Sequence, residues 1–309
     1  MIGQYLITFR EVFEAALILS IILSYLIKTK RHLLTRYVWY GVYLAIVASS
    51  IIGVATWFLY GFLSKSTQLL FETITAFTAV LVLSSMIYWM TIKGKNIKKE
   101  MEQRIEKVVA KGTIFSLVLI AFIVVFREGL ETVLFLTPFL IEDKAGTIIG
   151  LSMGIAIALG FSYSVFTIGA KIDVHKFFYF TSILLILLGG GLAGYGVHEL
   201  LEYYEEIGIN AGWLGEVAYS LNISKENPLH HNNVIGSIFA VMFGYAVKAE
   251  WARVIVHLAY LAIAFTIFYR TSRMRYLRKW SELIEQNDYL KFKIWQIKAV
   301  NLKLALRGY

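Results

Sequence analysis

Two short stretches carry the residues most able to do chemistry: Arg10-Glu11-Val12-Phe13-Glu14 and Arg127-Glu128-Gly129-Leu130-Glu131. Each follows a phenylalanine (Phe9, Phe126) and lies in an apolar run long enough to cross a bilayer. On a helix, glutamates at i and i+3 fall on neighbouring positions of one face, and the arginine reaches the second glutamate at i+4. A charge at the centre of a membrane helix costs about 2.5–3.5 kcal/mol on insertion scales, so six unpaired ones would cost roughly 15–20 kcal/mol. If the two helices cross at the motifs, four carboxylates meet two guanidiniums and two carboxylates are in excess. That excess invites a cation, and oxygen-only ligands suit a hard one such as Mn2+, Mg2+ or Ca2+. Protonation of one or two glutamates is the other way to relieve it, since crowded carboxylates raise each other's pKa. The plainer reading is a pair of ion-pair staples between helices. Buried ion pairs seldom stabilise more than apolar packing would, which argues against it.

The elements that must hold these motifs are membrane helices. Of the 309 residues, 58% are hydrophobic and 17% charged, with two prolines and no cysteine. The composition fits an all-α integral membrane protein. Without cysteine there are no disulfides and no thiolate ligands. Seven spans are expected, at about 2–27, 37–63, 69–92, 113–140, 146–170, 177–197 and 251–269. The connectors after the first, third and fifth spans and the tail 270–309 are basic. Those after the second, fourth and sixth are acidic or nearly uncharged. Basic-residue asymmetry therefore puts the N-terminus outside and the C-terminus inside. It also places the net charge of +9 against cytoplasmic lipid rather than nucleic acid. No cleavable signal peptide is expected, because the first apolar run contains Arg10, Glu11 and Glu14.

The motifs are offset by 117 residues, and at that offset Phe9, Leu17 and Leu19 also match Phe126, Leu134 and Leu136. The first span enters from outside and the fourth from inside. Two inverted three-helix repeats plus a seventh helix follow, a transporter architecture with its site near the midplane. The expected organisation is a permease domain over 1–269. It comprises repeat one (1–92), a cytoplasmic linker (93–112), repeat two (113–197), an outer acidic loop with an interfacial helix (198–250), and the seventh span. A basic amphipathic cytoplasmic tail (270–309) lies beyond it.

The doubled Arg-Glu-x-x-Glu, in the first and fourth of seven spans, resembles the iron permease family. That family comprises oxidase-coupled permeases of fungi and related iron-uptake permeases of bacteria and archaea. His198-Glu199-Leu200-Leu201-Glu202, at the outer end of the sixth span, is similar to an element of the bacterial branch, and the Gly244-Tyr245 pair also fits. The resemblance covers about residues 1–270. It implies a multi-pass protein of the cell membrane that transports iron, as Fe2+ or Fe3+, with no bound organic cofactor and no enzymatic activity. It implies ligation by Glu11, Glu14, Glu128 and Glu131. Whether an external oxidase or iron-delivering protein takes part, and whether the chain is a homo-oligomer, are left open.

The supporting roles follow from charge. Arg10 and Arg127 hold the glutamates ionised and oriented while the site is empty. His198, Glu199 and Glu202 form a candidate outer capture site, and Glu72 is a candidate lining residue of the entrance. Glu205, Glu206 and Glu216 would concentrate cations there. His230 and His231 are further candidates for metal, and Lys248, Glu250 and Arg253 mark the membrane boundary. The expected cycle is rocking of the two repeats, with protonation of a glutamate at release. An intramembrane di-metal oxidoreductase is the alternative, but such bundles supply Glu-x-x-His pairs, and Leu17 and Leu134 stand where those histidines would be.

Overall fold

The computed structural model describes residues 2–93, 97–110, 114–168, 174–224, 227, 236, 239–240 and 244–286. The expected tail beyond Gln286, half of the expected interfacial helix, and His230 and His231 lie outside these residues.

The apolar runs form long helices, as their composition dictates. They are α1 (Ile2–Lys28), α2 (Thr35–Gly61), α3 (Lys65–Lys93), α4 (Ile97–Ala110), α5 (Ile114–Glu142), α6 (Lys144–Ile168), α7 (Val174–Glu206) and α8 (Trp251–Gln286). At 1.5 Å per residue, 27 residues span about 40 Å, more than the roughly 30 Å of a hydrocarbon core. Five of the described helices (α2, α3, α6, α7 and α8) are long and apolar enough to cross a membrane. α1 and α5 have 27 and 29 residues, and each interrupts its apolar run with the three charges of a motif. The outward face of α2 (Leu44, Val47, Ile51, Phe58) is exposed and apolar, as a lipid-facing surface must be.

Two element boundaries differ from expectation. α7 does not stop near Val197 but continues to Glu206, so His198–Glu202 ride on a rigid helix. α8 likewise continues past Tyr269 to Gln286. The acidic stretch also contains an unforeseen two-stranded antiparallel sheet, β1 (Val217–Ser220) with β2 (Lys248–Glu250). Period-two patterning is weak over three or four residues, and the pairing partners lie some thirty residues apart.

Packing decides where the motifs lie. The extended helix pairs are α1 with α6, α2 with α5, α3 with α7, and α7 with α8, while α1 also runs along α5. α1 and α2 scarcely touch, although a short connector joins them. Glycines permit the close approaches. A Cβ on Gly154 of α6 would sit 2.7 Å from Thr8 Cβ, and one on Gly129 of α5 would sit 2.7 Å from Ser49 Cβ on α2. Gly190 and Gly194 face His257, Leu261 and Arg253 of α8. These small-residue faces are thus used within the chain.

Two apolar clusters flank the motifs. Ile7, Leu83, Phe135, Leu185, Leu188 and Leu192 form one, on the side toward Pro138. Ile22, Leu26, Val38, Ile105, Leu117 and Ala121 form the other. Ile105 brings the charged helix α4 onto α1 and α5, which accounts for its apolar stripe.

Candidate metal centre

α1 and α5 bring the two motifs together. One carboxylate oxygen from each of Glu11, Glu128 and Glu131 lies within 4.8 Å of the other two. Two oxygens bound to one ion at 2.1–2.6 Å are at most about 4–5 Å apart, so this triad has the span one cation can bridge. Glu11 is completely buried and Glu128 is 2% exposed. The Oε2 atoms of Glu11, Glu128 and Glu131 are buried with no hydrogen-bond partner among the described residues. Buried carboxylate oxygens without donors are costly, and an ion between them would satisfy all three.

The fourth expected ligand, Glu14, stands beside the triad rather than in it. Arg10 Nη2 holds its Oε1 at 2.5 Å. Arg10 Nη1 donates to Glu11 Oε1 at 2.6 Å. The second motif repeats the pattern more loosely, with Arg127 Nη2 2.7 Å from Glu128 Oε1 and Nε 3.3 Å from Glu131 Oε1. The expected i, i+4 pairing therefore occurs twice. What the repeat conceals is an asymmetry. Arg10 is 2% exposed, whereas the Arg127 side chain is 46% exposed and lies over the Trp89 ring. Phe13, between Glu11 and Glu14, is fully buried against Phe161 and Phe177, with ring centroids 5.4 and 4.5 Å away. These rings fix the roll of α1 and thereby the direction of its carboxylates.

A second group lies at the end of the bundle where α7 passes into the small sheet. A cavity of about 1330 Å³ is lined there by Glu72, His198, Glu199, Glu202, Glu205, Glu216 and Glu250, with Lys248 and Arg253. The candidate capture residues and Glu72 thus share one cavity. Glu72 is buried and accepts hydrogen bonds from Tyr60 (2.5 Å) and Tyr195. His198 lies 3.4 Å from Glu202 and 3.2 Å from Glu250. Burial raises the Glu250 carboxyl, but contact with His198 and its charge outweigh this and hold it below the usual range. Glu206 is outside the cavity wall, paired with Lys65 at 3.3 Å.

The cavity floor includes Pro138, Leu188 and Leu192. Pro138 is two helical turns, about 10 Å, along α5 from Glu131. The buried residues Phe135, Ile7, Leu83 and Leu188 fill the cluster between them. Four contributors were missed in the sequence: Tyr60, Tyr195, Met86 and Met90. Tyrosines and methionines in apolar helices read as packing. Only the i, i+4 spacing of the two methionines hinted that they share a face.

A family model described as the iron permease FTR1 family matches residues 1–271. The chain belongs to this family. It is 43% identical over 271 residues to an Archaeoglobus fulgidus protein named only as uncharacterized, covering 88% of this chain and 95% of that one. It is 32% identical over 278 residues to the ferrous iron permease EfeU of Yersinia pestis, with 88% and 95% covered. Identity to the ferrous iron permease EfeU of Escherichia coli O6:H1 is 30% over 273 residues, with 87% and 95% covered. No solved structure matches. The chain is therefore an iron permease family member and a multi-pass protein of the cell membrane.

Proposed function

We propose that this protein carries ferrous iron inward across the cell membrane and that Glu11, Glu128 and Glu131 bind the ion at mid-path. The observation that carries this reading is the convergence of three carboxylates from two helices, two of them buried and the third part-buried. Membership of the iron permease family supports iron as cargo, and the name of the EfeU relatives, ferrous iron permease, supports its ferrous form.

In this reading α1, α2, α3, α5, α6, α7 and α8 are seven spans, with the N-terminus outside and the C-terminus inside. The acidic cavity then faces outward, where its carboxylates concentrate cations and Glu199, Glu202 and His198 receive the ion. Exchanging α1 with α5, α2 with α6 and α3 with α7 turns the α1–α6 pair into the α5–α2 pair and maps α3–α7 onto itself. That pattern supports an inverted repeat. It also alters the expected motion. Most extended interfaces join one repeat to the other, so rigid rocking of the halves would break them. Passage instead depends on local opening of the apolar layer around Phe135. At the site the glutamates replace the ion's water, and Arg10 and Arg127 hold them ionised and oriented until it arrives. A bidentate guanidinium does this where an ammonium would not.

Purified protein in sealed liposomes tests the reading. Fe2+ should accumulate inside, and Glu11→Gln, Glu128→Gln and Glu131→Gln should each abolish uptake in a folded protein. Undiminished flux in the triple variant would overturn it.

A further inference from the structure

The buried arginine of the first motif has partners that ion pairing does not require. Nη1 lies 2.6 Å from Glu11 Oε1 and 3.1 Å from Met86 Sδ. Nη2 lies 2.5 Å from Glu14 Oε1 and 2.9 Å from Met90 Sδ. The guanidinium thus bridges two carboxylate oxygens and two thioether sulfurs. Met86 and Met90 are one turn apart on α3 and are 6% and 4% exposed. Thioether sulfur is a weak hydrogen-bond acceptor, a poor choice for satisfying a buried guanidinium. It is a good ligand for softer metals. The second motif has no such arrangement among the described residues. Arg127 has a tryptophan ring beside it and is half exposed.

We propose that Met86 and Met90 are ligands of the transported metal, taking the positions around it that the Arg10 guanidinium fills in the empty site, and that they select ferrous iron over harder divalent ions. This rests on the transport reading above and names the source of its selectivity. The oxygen triad alone would suit Mn2+, Mg2+ or Ca2+ as well as Fe2+. Glu11 belongs to both sets, since it is part of the triad and also lies beside Met86 through Arg10. An ion held by Glu11, Glu128 and Glu131 therefore needs only the withdrawal of Arg10 to gain sulfur ligands. The four carboxylates and two guanidiniums of the cluster sum to −2, which a divalent ion neutralises. Water leaves, lone pairs from oxygen and sulfur replace it, and no electron is transferred.

The test uses the full chain in liposomes under reducing, oxygen-free conditions, with Fe2+ and Mn2+ uptake measured in parallel. Met86→Leu/Met90→Leu keeps the volume and removes the sulfurs. Its Fe2+ to Mn2+ ratio should fall about tenfold, the change that about 1.4 kcal/mol of lost coordination produces. Retained Mn2+ uptake would certify the fold. An unchanged ratio would overturn the proposal. If the double variant moves neither ion, X-ray absorption of Cd2+ bound to the wild-type protein decides. The chain has no cysteine, so sulfur in the metal's first shell comes from methionine alone. A sulfur shell that disappears in the double variant supports the assignment, and an oxygen-only shell in the wild type overturns it. Wild-type protein that moves no iron yet shows the sulfur shell would sink the transport reading and leave the ligand assignment standing.

Discussion

Removing Arg10 should harm the empty protein far more than removing Arg127, although the two occupy equivalent motif positions. Arg10 is 2% exposed and neutralises Glu11 and Glu14 at 2.6 and 2.5 Å. Deleting one member of a buried ion pair leaves a desolvated charge and costs about 3–5 kcal/mol. The Arg127 side chain is 46% exposed, and its contacts are 2.7 and 3.3 Å. Water screens these pairs on the arginine side, but Glu128 is itself buried, so the loss should lie between the about 0–1 kcal/mol of an exposed pair and that of a buried one. The two alanine variants should therefore differ by about 2 kcal/mol, which corresponds to roughly 4–8 °C in Tm at 2–4 °C per kcal/mol. The assay is thermal unfolding of detergent-purified protein in chelator, so that no metal replaces the missing guanidinium. A second comparison isolates the cause. Adding Glu11→Gln and Glu14→Gln to Arg10→Ala removes the stranded charges and should restore most of the lost Tm. Equal losses for the two alanine variants, or no recovery in the triple variant, would refute the electrostatic reasoning.

Further outcomes follow from packing and charge. Gly129→Ala and Gly154→Ala each force a methyl to 2.7 Å from a neighbouring Cβ and should cost about 1–3 kcal/mol, read as a lower Tm. Gly160→Ala, with nothing within 4 Å, should cost nothing and serves as the control. Glu199→Gln/Glu202→Gln should raise the KM for iron with little change in maximal rate, and added salt should shrink the difference. Because the chain lacks cysteine, Gly191→Cys in the cavity wall should react with an impermeant thiol reagent added outside. Glu131→Cys should not react until Phe135→Ala thins the apolar layer, and equally fast labelling of both would contradict a closed layer.

Much of the helical fold was legible because membrane helices announce themselves by apolar run length, and loop charges suggest their direction. The doubled motif also told which residues pair, since i, i+4 contacts are local and depend only on helix geometry. Tertiary packing decides the rest. Nothing in Arg10 or Arg127 says that α3 will cover one with Met86 and Met90 and leave the other half open. Equally, four glutamates in two copies of one Arg-Glu-x-x-Glu pattern gave no sign that Glu14 would stand with Arg10 while the other three converged. Glu250 read as a membrane-boundary charge because its partner, His198, is distant in sequence and is brought to it by the short β1–β2 sheet. The interleaving of α1 with α6 and α2 with α5 was likewise invisible, since span order does not specify which helices touch.

The most direct test of the central claim is a crystal of the protein soaked with Fe2+ without oxygen, with diffraction collected at the iron absorption edge. An anomalous peak within bonding distance of Glu11, Glu128 and Glu131, lost in Glu128→Gln, is the predicted result. A peak confined to the acidic cavity, or one that persists unchanged in Glu128→Gln, would contradict it.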